Sequence, residues 1–203
     1  MLSAYQAMAQ IGEIRLHLTR SLLFRGYRSS TTALTGVVAV VAALVQSMVV
    51  IDPVRYLQNY LTIWFAAAVL SLALVFAKVL LAHRGDESAL NRELSTTALL
   101  QLAPSIVAGL LVTLVIALFR TGAAGALPGV WMILISLGIF ASRQNLPRLV
   151  VLPAGYYMLA GLWALTLSPA EAMRPWVMGS VFGFGQFLAA GVLYVTLERK
   201  RAS

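Results

Sequence analysis

Six long apolar stretches, separated by short polar ones, constrain the fold of this chain more than any other feature. The stretch from Leu127 to Leu165 shows the pattern, because two apolar segments are joined by one brief basic turn. A helix needs about 20 mainly apolar residues to cross the ~30 Å hydrocarbon core of a bilayer. The sequence therefore predicts an all-α fold, a polytopic membrane helix bundle with spans at about 31–51, 60–82, 98–119, 127–141, 149–167 and 175–197.

Composition supports a membrane rather than an aqueous environment. Hydrophobic residues make up 60% of the 203 positions and charged residues only 11%, and the mean hydropathy is +0.86. The net charge of +8 would suggest nucleic acid in a soluble protein. Here the basic residues stand at the ends of the apolar stretches, where they face lipid headgroups. The lipid bilayer is thus a predicted partner, and nucleic acid is not.

Residues 1–28 form a separate predicted unit, an amphipathic interfacial helix, ahead of the six-span domain at 29–203. At 100° per residue one side of this helix collects Met8, Ile11, Ile14, Leu18 and Leu22. The other side collects Glu13, His17, Arg20 and Arg28. This pattern is typical of a helix that lies in the headgroup layer, although Arg15 falls on the apolar side.

Basic residues predict the orientation of the spans. If the N-terminus is cytoplasmic, twelve of the fifteen Lys and Arg residues lie on the cytoplasmic side. Only Arg55, Arg120 and Arg174 remain outside. The positive-inside rule favours this arrangement, which leaves both termini in the cytoplasm. We therefore expect a multi-pass protein of the bacterial cytoplasmic (inner) membrane.

Tryptophans give a second signal for the same orientation. In the predicted topology all four fall near the outer boundary of the membrane, where tryptophan is commonly enriched. They form a predicted outer interface belt of Trp64, Trp131, Trp163 and Trp176.

The predicted spans lack the residues that most membrane chemistry uses. They contain no Asp, Glu or His, and the whole chain has no Cys. A proton relay built on membrane carboxylates, an axial histidine ligand and thiolate chemistry therefore have no candidate. We predict no catalytic residue, no cofactor, no metal site and no enzymatic activity.

Polar and small residues in the spans mark one possible intramembrane site. Gln186 is flanked by the glycines of the last span, and Gly179-x-x-x-Gly183 is a close-packing pattern. The favoured interpretation is helix packing, with either an internal helix or another chain as the partner. The alternative is a lipid or substrate cavity. The candidate residues are Gln101, Tyr156, Tyr157, Gly179, Gly183, Gly185 and Gln186.

Three short motifs carry a family resemblance. They are Thr62-Ile63-Trp64, Leu127-Pro128-Gly129-Val130-Trp131 and Gly183-Phe184-Gly185. With these the chain resembles an uncharacterised family of small six-span bacterial integral membrane proteins, often encoded beside winged-helix regulators. The resemblance implies a fold and no reaction. The chain departs from the family pattern at Leu137-Gly138 and at Leu188.

Three functions fit these observations. The leading hypothesis is a non-catalytic accessory or scaffold subunit that packs against other integral membrane subunits of a respiratory, photosynthetic or transport complex. The second is the permease subunit of an ABC-type exporter, in which the charged loop 83–97 holds one short surface helix and docks an ATPase. The third is a small dimeric lipid or metabolite transporter, whose two three-span halves are inverted repeats.

Overall fold

The computed structural model describes residues 29–84, 89–145 and 148–198, and the side chains of residues 29–78, 100–143 and 148–196. These residues are helical almost throughout, and no strand occurs among them. Six helices are long and apolar enough to cross a membrane, which confirms the predicted all-α, six-span architecture. The predicted amphipathic helix at 1–28 lies outside the described residues.

The six long helices follow one another with short connections. They are α1 (Ser29–Val49), α2 (Leu57–Arg84), α3 (Ala89–Phe119), α4 (Leu127–Ala141), α5 (Val151–Thr166) and α6 (Pro175–Leu193). A 3₁₀ turn, Thr121–Ala126, leads directly into α4, so that the fourth apolar span covers 21 residues. A π-helical turn, Tyr194–Glu198, follows α6.

The connection between α2 and α3 differs from the prediction. We expected a loop at 83–97 with room for a short surface helix, but α2 continues to Arg84 and α3 already begins at Ala89. The sequence Ala89-Leu90-Asn91-Arg92-Glu93-Leu94 consists mostly of good helix formers and contains neither Gly nor Pro. Such a sequence extends an existing helix at little cost, since no new nucleus is required.

Consecutive helices run antiparallel, which gives the bundle two distinct ends. We call one the basic end. It comprises the start of α1, the end of α2 with the start of α3, the turns Ser142–Asn145 and Arg148–Val150, and the turn Tyr194–Glu198. The far end comprises the turns at 50–56, 120–126 and 167–174.

The closest helix pair is α1 with α6, which are the first and last spans of the described chain. Gly179 and Gly183 of α6 face Ala43 and Val40 of α1. A Cβ atom added at Gly183 would lie 2.9 Å from Cγ2 of Val40. The Gly-x-x-x-Gly pattern therefore packs internally, and its partner is α1.

A second close seam joins α4 to α5. Added Cβ atoms at Gly129 and Gly161 would each come 2.8 Å from the carbonyl oxygen of the other residue. Ser136 of α4 lies about two helical turns after Gly129 and is fully buried. Its hydroxyl donates to the Ala154 carbonyl at 2.6 Å. Small residues let the two backbones approach, and the hydrogen bond then fixes their register.

We expect Gly179→Ala to lower the stability of the folded protein by about 1–3 kcal/mol, the usual cost of overpacking. Its new Cβ would overlap the Cβ of Ala43, which is held directly by the α1 backbone. Unfolding by denaturing detergent or by heat in mild detergent measures the change.

The matched control for this prediction is Gly155→Ala. A Cβ atom at Gly155 would meet no atom within 4 Å, so the control should be neutral or slightly stabilising. Equal stability of the two variants would show that the α1–α6 seam tolerates a wider spacing.

Candidate functional site

A buried polar link ties three parts of the bundle together near the far end. The Gln46 side chain of α1 is 0% exposed. Its Nε2 donates to the Met173 carbonyl at 2.8 Å, and its Oε1 accepts from Nε1 of Trp64 at 2.8 Å. One amide thereby satisfies an indole of α2 and a backbone carbonyl of the turn before α6.

The turn that presents the Met173 carbonyl has its own local support. Ser168 and Glu171 form a reciprocal capping box at the short helix Pro169–Ala172. The Ser168 hydroxyl donates to Glu171 at 2.7 Å, and this hydrogen bond holds the pKa of that carboxyl below its usual range. Pro169 also packs on Gly125, where a Cβ atom would come within 2.5 Å of the proline. The capping residues and the Gly125 contact fix the position of this turn.

Trp131 organises a second cluster between α2, α3 and α4. Its Nε1 donates to the Thr113 hydroxyl at 2.9 Å, and that hydroxyl donates to the Gly109 carbonyl at 2.6 Å. The Tyr60 ring stacks on the Trp131 ring with centroids 6.2 Å apart and an interplanar angle of 6°. Phe65 meets the same indole edge-on.

Tyr60 is fully buried, yet its hydroxyl has no hydrogen-bond partner among the described residues. A buried hydroxyl without a partner costs stability, because it loses water and gains nothing in exchange. The contacts of the ring, which include the stacking on Trp131, hold this side chain in place.

The predicted site residues divide among several contacts. Gln186 is half-buried, and its Cβ lies 3.1 Å from the position a Cβ would take at Gly36 of α1. Tyr157 lies against Gly185, and its hydroxyl donates to the Phe182 carbonyl at 3.3 Å.

The remaining predicted residues also have identified positions. Tyr156 packs on Tyr157 and on Phe184, with ring centroids 5.6 and 5.2 Å apart. Gln101 is half-buried on α3. Leu102 and Ser105, which follow it within one helical turn, face Gly138 of α4. The contacts of Tyr156 and Tyr157 are contacts between α5 and α6.

The four tryptophans have two kinds of environment. Trp163 and Trp176 are exposed, and their rings lie 6.3 Å apart at the far end. Trp131 is half-buried and hydrogen-bonded, whereas Trp64 is only 7% exposed. Trp64 therefore contacts protein rather than lipid, and its indole N–H is satisfied by Gln46.

Sequence reasoning missed Gln46, Thr113 and Ser136. Gln46 stands one turn from the end of its span, where a polar residue is usually interfacial, and Thr113 and Ser136 are common in apolar helices. The only available signal was the presence of a strong hydrogen-bonding amide within a predicted span.

Within the ranges that the structure describes, no group of three or more His, Asp or Glu residues is placed to hold a metal ion. No protein-family model matches this chain, and no curated protein or solved structure is significantly similar to it.

We expect Gln46→Leu to destabilise the fold by about 1–3 kcal/mol, because it leaves the Trp64 N–H and the Met173 carbonyl buried without a partner. Thermal unfolding in mild detergent measures this loss. Ser47→Ala is the control, since Ser47 is exposed and its hydroxyl only donates to the Leu44 carbonyl of its own helix. A Gln46→Leu protein as stable as the control would contradict the role assigned to the link.

Tyr60→Phe should raise the stability of the folded protein, whereas Gln46→Leu should lower it. Removing an unpartnered buried hydroxyl while keeping the ring is expected to raise stability by up to about 1 kcal/mol. The same unfolding assay applies. If Tyr60→Phe lowered stability instead, the buried hydroxyl must be bound by an internal water.

Proposed function

We propose that this protein is a non-catalytic subunit of a larger membrane assembly, which it joins through the exposed faces of α2 and α3. The observation that carries this proposal is the uneven burial of the six spans. Only 11% of the residues in the apolar window of α2, and 6% of those in α3, are buried within the chain. In the other four spans the share is 33–50%.

Helices in a bilayer gain no hydrophobic free energy by associating, because lipid tails are as apolar as leucine side chains. A span is held in place by close packing and by hydrogen bonds. Both α2 and α3 are tied to the bundle toward the far end, by the Trp64–Gln46 and Trp131–Thr113 hydrogen bonds. Elsewhere α2 packs chiefly on α1, α3 packs chiefly on α4, and the two barely contact each other. A protein partner would supply the missing contacts.

The exposed face of α2 suits close contact with another helix. Ala66, Ala73 and Ala77 are all exposed and fall on one side of the helix at 100° per residue. Large side chains flank them, including Val69, Leu70 and Phe76. Small residues allow two backbones to approach, and large neighbours then interdigitate, as they do in the internal α1–α6 seam.

Crosslinking in the native membrane tests this function. A photoreactive residue at Ala73 or at Leu111 should give one discrete protein adduct, which mass spectrometry identifies together with the proteins that co-purify after mild extraction. The control position is Leu159 of α5, which is 70% exposed and lies outside the proposed face. Lipid adducts alone at all three positions, with the chain purifying as a monomer, would overturn the proposal.

We further infer that the basic end faces the bacterial cytoplasm, in the inner membrane. Twelve of fifteen basic residues support this orientation. Because the chain has no cysteine, single-cysteine variants test it without background. A membrane-impermeant maleimide should label Ala170→Cys at the far end in intact cells. Ser30→Cys, at the exposed start of α1, should react only after permeabilisation, and the reverse pattern would contradict the orientation.

One observation favours a second function, the permease subunit of an ABC-type exporter. With 28 and 31 residues, α2 and α3 are about 42 and 46 Å long, more than the ~30 Å hydrocarbon core requires. Their hairpin therefore has length to extend beyond the bilayer at the basic end. The short charged connection there includes Asp86 and Glu87. An ATPase should then co-purify with the wild type and should be lost from the variant in which Asp86 and Glu87 are replaced by lysine. This result would favour the permease function over the first.

A further inference from the structure

A groove of about 420 Å³ runs along α6 near the basic end. Its lining is apolar and includes Leu149 from the turn before α5, with Phe184, Phe187 and Val195 from the α6 side. These four side chains are 44–57% exposed, so the groove opens toward the surrounding membrane. It is a shallow, open depression on the surface of the bundle and not an enclosed pocket.

Gly191 leaves open space along this groove. It is an exposed residue of the lining, and a Cβ atom added there would meet no atom within 4 Å. Unlike Gly179 and Gly183, this glycine does not bring another helix close. Its missing side chain instead leaves room beside α6.

A basic residue stands next to the groove. Arg148 is exposed and directly precedes Leu149 in the 3₁₀ turn Arg148–Val150, which packs against α6. The connecting segment from Ala141 to Pro153 also contains Arg143 and has no acidic residue. The groove thus pairs an apolar surface with positive charge beside it, which is the pattern that suits an anionic lipid.

We propose that this groove binds one anionic glycerophospholipid, with an acyl chain along α6 beside Gly191 and the phosphate near Arg148. Charge complementarity favours this occupant, because Arg148 is exposed beside a lining residue and the segment from Ala141 to Pro153 has no acidic residue to pair with it. The proposal is independent of the docking face above, since the groove lies on α6 and the docking face on α2 and α3.

Lipid retention by the full-length protein tests this assignment. The protein is delipidated in detergent, mixed with equal amounts of phosphatidylglycerol and phosphatidylcholine, and examined by native mass spectrometry. We expect the wild type to retain one phosphatidylglycerol. Gly191→Phe should reduce this retention by about tenfold or more, because the ring fills the groove. Gly155→Phe is the control, as its new side chain begins in equally open space on α5.

The headgroup contact is tested separately. Arg148→Gln should still retain lipid but should lower the preference for phosphatidylglycerol by about fivefold. Retention by Gly191→Phe equal to that of the control, or an unchanged headgroup preference in Arg148→Gln, would overturn the proposal and leave only a non-specific lipid annulus.

A crosslinking experiment on the wild type tests the site without relying on variants that could misfold. In the wild type, a phosphatidylglycerol with a photoreactive acyl chain should crosslink to the peptide that spans residues 184–195. The corresponding phosphatidylcholine should crosslink there more weakly. Crosslinks distributed evenly over the lipid-facing surfaces of α2, α3 and α6 would contradict a defined site.

Discussion

Close approach of helix backbones is the interaction on which this structure depends. Inside a bilayer the apolar side chains of two helices gain nothing by leaving lipid, so association requires contacts that lipid cannot offer. Here those contacts occur where glycine and alanine bring backbones together. Gly179 and Gly183 join the last span to the first, and Gly129 with Gly161 joins the fourth to the fifth. The first of these seams connects the two ends of the described chain.

Hydrogen bonds and rings add directional contacts to this packing, mainly toward the far end. Gln46 bridges α1, α2 and the turn before α6, while Trp131 bridges α4 to Thr113 on α3 and to Tyr60 on α2. The result is that α2 changes environment along its length. Tyr60 is 0% exposed and lies among these groups, whereas Val69, a few turns further, is 66% exposed.

This gradient explains why the same molecule has a well-packed part and an open face. The first part of α2 is held by specific contacts, so the rest of the helix is presented in a defined position toward the membrane. The adjoining face of α3 is similarly free. The groove on α6 is a different kind of surface, because it is concave and has a basic residue beside it. The proposed protein partner and the proposed lipid therefore occupy separate sides.

The sequence by itself determined the fold class and the six spans, because length, hydropathy and lack of charge are local properties of each segment. It also indicated that Gly179 and Gly183 serve packing, since few other roles suit that motif in lipid. It did not predict that α1 is their partner, that Gln46 is buried, or that α2 and α3 are the most exposed spans. In these spans apolar residues occupy every side, so periodicity no longer separates a lipid-facing side from a protein-facing one. Only the tertiary structure decided those points, because they depend on which helices become neighbours.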